Sequence, residues 1–321
     1  MTAGGADNFG SGAQAGGLNK PFGYNLEGAE PDLDNSMQFR YGAGSRNFQA
    51  AKAGRVIGHI NPSFDLTDPW IIEAILGAHS AITGTAGSYA CTWSEQDVPL
   101  SLEIDICEAV TAATFALRKL LGAIVKRATF DVDATSDTPI RMSLECDYSN
   151  EVLSAPGSFT VQPAPQQTAP ITFANGTIAT SSNGVDYTTI ANVDRFSVSI
   201  DQGAELKHAV GSRTAARKKY GQRKYELSIV NLFDDVSEFL TKLYGGASGP
   251  ASDPTKINYV KITLTAETSA TLTFTFANAY LRTHKQTGNN ADDELIESVD
   301  LTAQSLSIAM AGWDNTEPTR L

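Results

Sequence analysis

The sequence predicts a mainly β protein made of two tandem β-sandwich domains, each with one short flanking α-helix. Three observations support this prediction. Short segments alternate apolar and polar residues, several identical residues recur at one constant offset, and each half has one stretch with helical spacing. At 321 residues the chain is long enough for two domains with a core each.

The internal repeat is clearest around the triplet Gly-Ser-Arg, which occurs at 44–46 and again at 211–213. Four further identities keep the offset between these triplets, namely Lys52 with Lys219, Gly54 with Gly221, Asp68 with Asp235 and Leu76 with Leu243. A constant offset over more than thirty residues argues against chance, so we interpret the chain as two copies of one unit.

Alternation with a period of two predicts half-buried strands at 101–106, 140–146, 260–264 and 271–276. A longer alternating segment at 299–310 loses its phase near Gln304, which predicts a bulge. The stretch 107–121 also fits helical spacing. Its place in the repeat sets Phe115 and Leu117 against Phe274 and Phe276, and we therefore predict a strand.

Each half has one short helical pattern. In the first, Asp68-Pro69 precedes the apolar run 70–76 and Gly77 closes it, which is typical of a helix start and stop. In the second, apolar residues at 236, 239, 240 and 243 form the stripe of an amphipathic helix, closed by Gly245-Gly246.

Composition divides the chain into four parts. Residues 1–25 are rich in Gly and Ala and predict a flexible N-terminal arm, and the Pro-rich residues 156–170 predict an extended linker. The two domains then cover 26–155 and 171–321, called the first and second halves below. Near the start of the second half, Asn175-Gly176 and Asn183-Gly184 each predict a hairpin.

The sequence contains no pattern of residues typical of an enzyme. The four histidines have no metal-ligand spacing, the three cysteines have no redox or zinc spacing, and neither a nucleophile elbow nor a phosphate loop is present. Acidic residues at 131–133 and 292–294 could hold a hard cation, but we favour solvated turns or strand edges. We expect no catalytic residue, no cofactor and no metal.

Neither a membrane nor secretion is indicated. No apolar run approaches the roughly 20 residues that a spanning helix needs. The N-terminus lacks the basic and apolar regions of a secretory signal, so we expect none.

One basic cluster stands out in a chain whose net charge is −12. Its members are Arg213, Arg217, Lys218, Lys219, Arg223 and Lys224. The cluster could contact nucleic acid, or it could dock on an acidic surface of another copy. We favour self-assembly, because copies that repel one another overall need local complementarity. The candidate interface also includes the two triplets, Gly44, Ser45, Arg46, Gly211 and Ser212.

Three stretches resemble the major tail tube proteins of long-tailed, siphovirus-like viruses. They are 193–244, then 122–133 with 138–145, and 281–284 with 296–310. The resemblance implies tail-tube-type β-sandwich domains that join edge to edge into a β-barrel ring. Such rings stack into a tube that houses the tape-measure protein and conducts viral DNA during ejection, so the chain would be a structural protein of the virion, made in the host cytoplasm.

The duplication adds an expectation of its own. Such tubes usually have six domains in each ring, so three chains would suffice, with pseudo-sixfold symmetry. The expected partners are other copies, the tape-measure protein and DNA inside the lumen, and tail terminator and baseplate proteins. We expect a lumen lined by acidic, Ser and Thr residues, with the basic cluster between subunits or rings.

Two alternatives remain at this stage. One is another virion structural protein, either of the baseplate or associated with the capsid. The other is a tandem β-sandwich adhesin or binding module, which would need exposed aromatics that Trp70, Trp93 and Trp313 do not obviously supply.

Overall fold

The computed structural model describes residues 2–6, 20–44, 46–67, 69–85, 88–111, 114–134, 139–154, 171–172, 176–232, 239, 255–266, 270–288 and 295–313. Four sequence predictions lie wholly or largely outside this part of the chain. They concern Ser45, the linker at 156–170, most of the second helix, and the acidic residues at 292–294.

The predicted arm and the first half contain fourteen strands among the described residues. They are Thr2–Ala6 (β1), Lys20–Pro21 (β2), Tyr24–Glu27 (β3), Asp32–Asp34 (β4), Gln38–Tyr41 (β5), Phe48–Lys52 (β6), Ile57–Ile60 (β7), Ser63–Asp65 (β8), Gly77–His79 (β9), Tyr89–Glu95 (β10), Ser101–Thr111 (β11), Thr114–Asp133 (β12), Arg141–Tyr148 (β13) and Asn150–Ser154 (β14).

The second half contains nine strands among its described residues. They are Gly176–Ser181 (β15), Thr188–Ile190 (β16), Val193–Asp201 (β17), Glu205–His208 (β18), Ala215–Lys219 (β19), Lys224–Leu232 (β20), Lys256–Thr265 (β21), Thr271–Thr287 (β22) and Ile296–Trp313 (β23). The protein is therefore mainly β, as predicted. The Asn183-Gly184 hairpin is confirmed, because β15 and β16 pair on either side of that turn. At the other predicted hairpin, Gly176 begins β15 and Asn175 lies outside the described residues.

Strand β12 joins the two halves. Its first part pairs with β11 and β14, and its second part lies between β13 and β17, all antiparallel. Because β17 belongs to the second half, one sheet runs from one half into the other. The strand prediction for 107–121 is confirmed by β11 and β12.

A second strand contact between the halves comes from β23. Its beginning pairs with β20, residues 296–311 pair with β22, and its end pairs with β10 of the first half. Buried positions shift in phase around Gln304, since Ala303 and Leu306 are both buried. The register shift against β22, however, lies between Leu281 and Thr283 rather than at Gln304.

The first helix forms where the sequence predicts it. Helix α1 covers Ile71–Leu76, all six of its residues are buried, and Gly77 ends it with a φ of 110°. A positive φ of this kind strains any residue with a Cβ, so Gly is the residue that allows the stop. In the second half, Phe239 is helical and buried.

The predicted flexible arm is partly a strand. Thr2–Ala6 pair antiparallel with Ser101–Asp105, the beginning of β11. Their residues are Thr, Ala and Gly, which give little alternation of apolar and polar side chains. The sequence therefore shows no strand signal there, and the pairing comes from an available sheet edge.

The buried apolar residues of both halves form one core. Phe130 of β12 and Phe274 of β22 meet edge to face with ring centroids 5.0 Å apart, and neither ring is exposed. Such a geometry suits the aromatic quadrupoles and buries a large apolar area. Packing thus unites the halves in addition to the shared sheet.

This contact predicts a stability effect. Phe130→Ala should lower the free energy of unfolding by about 3–5 kcal/mol, because it removes apolar contacts from both halves and leaves a cavity. Leu153→Ala, at a side chain that is 73% exposed, should change it by less than about 0.5 kcal/mol. Chemical denaturation of the monomer measures both. Equal effects of the two substitutions would contradict a shared core at Phe130.

Candidate assembly surface

Two small hairpins occupy matching places in the halves. The first hairpin is β5–β6 and the second hairpin is β18–β19, and each forms its own two-stranded sheet. Moving every strand bound of the first hairpin by the offset of the sequence repeat gives the strand bounds of the second.

The hairpins also agree in local backbone geometry. Their registers shift at Arg40/Tyr41 in the first and at Lys207/His208 in the second. Gly44 and Gly211 in the connecting turns have φ values of 83° and 89°. Gly is required at both positions for this conformation, since a Cβ would be strained there even though space is open around it.

The surroundings of the two hairpins differ sharply. In the first, all nine strand residues are exposed, among them Phe39, Tyr41 and Phe48 at 52%, 66% and 53%. The rings of Phe39 and Phe48 pack on each other with centroids 5.0 Å apart. The matching residues of the second hairpin, Leu206, His208 and Ala215, are half-buried or buried.

The second hairpin is covered because it docks on the first half. The backbone N–H of Val56 donates to the carbonyl of Arg213 at 2.7 Å. The His208 ring nitrogen Nε2 lies 3.0 Å from the carbonyl of Val56. The Arg213 guanidinium donates to the carbonyl of Gly54 at 3.0 Å and to the amide oxygen of Asn35 at 3.2 Å.

A second set of contacts extends this docking. The Lys218 ammonium donates to the carbonyl of Pro99 at 2.5 Å, and the Tyr220 hydroxyl donates to the same oxygen at 3.4 Å. Burial raises the pKa of Tyr220, which keeps its hydroxyl protonated as a donor. Arg223 donates to the carbonyl of Gln96 and, at 2.9 Å, to the side chain of Gln202.

The predicted basic cluster is therefore divided by the structure. Arg213, Lys218 and Arg223 hold the second hairpin and its flank to the chain's own first half. Arg217, Lys219 and Lys224 are exposed and make none of these contacts, whereas Arg213 makes them although it is itself exposed. Of the two triplets, Arg46 and Ser212 are exposed and Gly44 and Gly211 form the turns, while Ser45 lies outside the described residues.

The aromatic patch of the first hairpin, formed by Phe39, Tyr41 and Phe48, was not singled out from the sequence. The available signal was a short strand with aromatic residues at alternate positions, opposite a third aromatic residue. Such a patch on the surface marks a contact with another molecule more often than an isolated apolar residue does.

The strand joint between the halves is the other part of this surface. In the pairing of β12 with β17, Arg127 lies opposite Asp201 and Thr129 opposite Ser199. Next to them, the N–H of Gln202 donates to the carbonyl of Lys126 at 2.8 Å. Gln202 and Lys126 are thus a hydrogen-bonded pair, and the pairs Arg127/Asp201 and Thr129/Ser199 are the closer, non-hydrogen-bonded kind.

Other candidate sites receive no support as ligand sites. Trp70 and Trp93 are buried, so they offer no aromatic surface to a sugar. His59 and His284 are engaged with the carboxylates of Asp147 and Glu297. Within the described residues no group of three or more His, Cys, Asp or Glu side chains is placed to hold a metal ion, and no helix is long and apolar enough to cross a membrane.

The fold is mainly β, and antiparallel strand pairing joins its two halves. The family model of the phage tail tube protein matches residues 80–307, well over half of the chain. The chain therefore belongs to the phage tail tube protein family. It is a structural component of a viral tail.

Some solved structures are loosely similar to parts of the chain. One is a chain in the cryo-EM structure of the anti-feeding prophage baseplate, six-fold symmetrised, with 16% identity and a TM-score of 0.32, covering 42% of this chain and 91% of that one. Another belongs to the anti-feeding prophage cap, which terminates the tube, with 15% identity and a TM-score of 0.29, covering 47% and 94%. No curated protein sequence matches the chain.

Charge-reversing substitutions in the two groups of basic residues should have different effects on monomer stability and on assembly. Arg213→Glu with Lys218→Glu sets carboxylates against carbonyl oxygens of the first half, so we expect the monomer to lose about 1–3 kcal/mol of stability. Arg217→Glu with Lys219→Glu changes exposed residues and should cost less than about 0.5 kcal/mol, while assembly falls.

Thermal denaturation of the monomer and electron-microscopic particle counts measure the two effects. Assembly of the Arg217/Lys219 variant at normal yield would exclude the exposed part of the basic cluster as an interface.

Proposed function

We propose that three copies of this chain form one ring of a viral tail tube, and that stacked rings form the conduit for DNA. In this proposal each half contributes one of six similar units around the ring. The single observation that carries it is the correspondence between the halves, added to the membership of the tail tube family.

The correspondence extends beyond the hairpins into the main sheet. Ile60 lies opposite Cys146 in the first half, and Leu227 lies opposite Leu301 in the second. Ile60 and Leu227 are separated by the offset of the sequence repeat, so Cys146 and Leu301 occupy equivalent places. Because β7 and β20 are equivalent, the strands that pair with them, β13 and the beginning of β23, are equivalent too.

A shared irregularity supports the same conclusion. The pairing of β12 with β13 shifts register between Val125 and Arg127, and the pairing of β22 with β23 shifts between Leu281 and Thr283. In the first half the shift comes directly after the pair that contains Cys146, and in the second half it comes directly after the pair that contains the equivalent residue, Leu301. Bulges re-aim a strand at a defined place, and two such features at equivalent positions favour a duplicated unit.

The tube needs a lumen that does not retain DNA. Opposite the buried face of β21 and β22, half-buried hydroxyl residues form an uncharged surface, made of Thr263, Thr265, Thr271 and Thr273. Lys261, which lies opposite Thr275, borders this surface, and its ammonium group lies over the ring of Tyr187. Phosphate binding depends on Lys and Arg, so a surface of hydroxyls lets a polyanion pass. We assign this face to the lumen. It has the hydroxyl residues that the sequence prediction expects there, but not the acidic ones.

In this role the chain is structural and performs no chemistry on DNA. Its partners are other copies in the ring and in the next ring, the tape-measure protein and DNA inside the lumen, and the tail terminator and baseplate proteins at the two ends. The long-tailed, siphovirus-like character of the virus belongs to the same proposal.

Electron microscopy of the concentrated protein tests the proposal directly. We expect rings or tubes with pseudo-sixfold features, and native mass spectrometry of single rings should give three times the chain mass of 34.1 kDa. Rings of six full chains would contradict the duplicated arrangement. A protein that stays monomeric at high concentration would contradict the tube function itself.

A further inference from the structure

We infer that the contact between neighbouring chains repeats the contact between the two halves of one chain, and that its residues can be named. Residues 30–34 and the first hairpin of one chain are the donor side, and the second half of another copy is the acceptor side. This inference rests on the proposed ring and gives its interface.

The template is the junction inside the chain. There the second half supplies two elements, strand β17 and the second hairpin that follows it. Strand β17 pairs with residues 127–133 of β12, and the second hairpin docks on Asn35, Gly54, Val56 and Pro99 of the first half. The junction thus covers both the edge of residues 127–133 and one side of the second hairpin.

The acceptor strand has an equivalent in the second half. Val125 pairs with Cys146, and Leu281 pairs with Leu301, which makes β22 the counterpart of β12 at an offset somewhat smaller than that of the hairpins. Residues 283–287 therefore correspond to 127–131. Among the described residues no strand pairs with the outer edge of 283–287, because β21 reaches only to Tyr280.

The donor strand has an equivalent in the first half. Asp34 lies opposite Ile57, as Asp201 lies opposite Lys224, which makes residues 28–34 the counterpart of the segment 195–201 in β17. The bulge in β17 before Arg195 has its counterpart in Gly28, whose φ is 63°. No described strand pairs with the outer edge of β4.

If residues 30–34 of one chain pair with 283–287 of another in the register of β17 with β12, each pair across the joint can be named. Thr283 lies opposite Asp34, Lys285 opposite Asp32 and Thr287 opposite Glu30. The pair Lys285/Asp32 joins opposite charges at two exposed positions, which favours this register over its neighbours.

Alternation on the two strands fits the same register. Leu33 and His284 point inward, since Leu33 packs against the core and the His284 side chain is 7% exposed. They lie opposite each other, as Ala128 and Ile200 do in the template. A slip of one residue would set an inward side chain against an outward one.

Pro31 modifies the joint without preventing it. Its equivalent, Val198, belongs to the hydrogen-bonded kind of pair, so Pro31 removes one N–H donor from the ladder. A proline at the edge also keeps a free chain from pairing unspecifically. The remaining ladder bonds and the hairpin contact then determine the specific joint.

The first hairpin supplies independent support. It differs from the second hairpin in being exposed throughout, and its patch of Phe39, Tyr41 and Phe48 has no cover within the described residues. The inferred contact covers that patch with the second half of another chain. Arg46, the counterpart of Arg213, then reaches the carbonyl of Gly221, the counterpart of Gly54.

Disulfide trapping tests the strand register. Asp32→Cys with Lys285→Cys sets two thiols at a close, non-hydrogen-bonded pair, where Cβ atoms approach to about 4.5–5.5 Å. Under mild oxidation, rings of this variant should give covalent dimers and trimers, with the trimer as the largest species. Single variants control for the native cysteines, and Asp34→Cys with Thr287→Cys is the matched control, about 13 Å out of register.

The outcomes of this test are distinct. Rings that form but give no more disulfide than the control pair would overturn the inference and leave the tube function standing. If the unmodified protein forms no rings, the tube function is wrong and the inference falls with it.

The hairpins offer a paired test of their own. Phe39→Asp alters an exposed residue and should leave the thermal midpoint of the monomer unchanged while reducing ring formation at least tenfold. Leu206→Asp, at the equivalent position of the second hairpin, should lower the thermal midpoint of the monomer because that hairpin is covered within the chain. Normal ring yield for Phe39→Asp would overturn the role of the first hairpin.

Discussion

Backbone pairing along β12 is the interaction on which the rest of the structure depends. This strand runs for 20 residues and pairs with four others, one of which comes from the second half. Buried N–H and C=O groups along a strand need hydrogen-bond partners. Along one edge of residues 127–133, β12 finds these partners in β17 of the second half, and this pairing holds the two halves together.

The sequence predicted the mainly β fold, helix α1 and the hairpin at Asn183-Gly184, since these depend on local patterns. It also led to the strand interpretation of 107–121, where the repeat outweighed helical spacing. Its alignment of Phe115 with Phe274 is not the one that strand pairing gives. Equivalent positions lie closer together in the sequence at β12 and β22 than at the hairpins, because the intervening connections differ in length.

The candidate site was predictable only in part. Charge alone identified the basic cluster, but charge cannot tell which members contact carbonyl oxygens of the same chain. Arg213, Lys218 and Arg223 do so because the second hairpin folds back on the first half, a consequence of long-range strand pairing. The aromatic patch on the first hairpin could not be predicted, because Phe39 and Phe48 have the sequence pattern of core residues. Only the fold shows that they are exposed.

The halves also differ in their interiors. In the second half, Glu297 accepts a hydrogen bond from Asn231 at 3.1 Å and lies 2.5 Å from a ring nitrogen of His284. The equivalent positions of the first half hold Met142, Phe64 and Ala128, which are all apolar and buried. A buried polar group needs its own partners, so neither core can substitute for the other. This polar cluster thereby distinguishes the second half of the chain from the first.

The joint inside the chain has a kinetic consequence for the proposed ring. Half of the six joints form as each chain folds, at the high effective concentration that a covalent tether provides. Three chains then need only two encounters between separate molecules, because the third joint closes within the assembly, and each encounter must overcome repulsion between chains of net charge −12. Fusing the units in pairs thus shortens the slow, concentration-dependent part of ring closure.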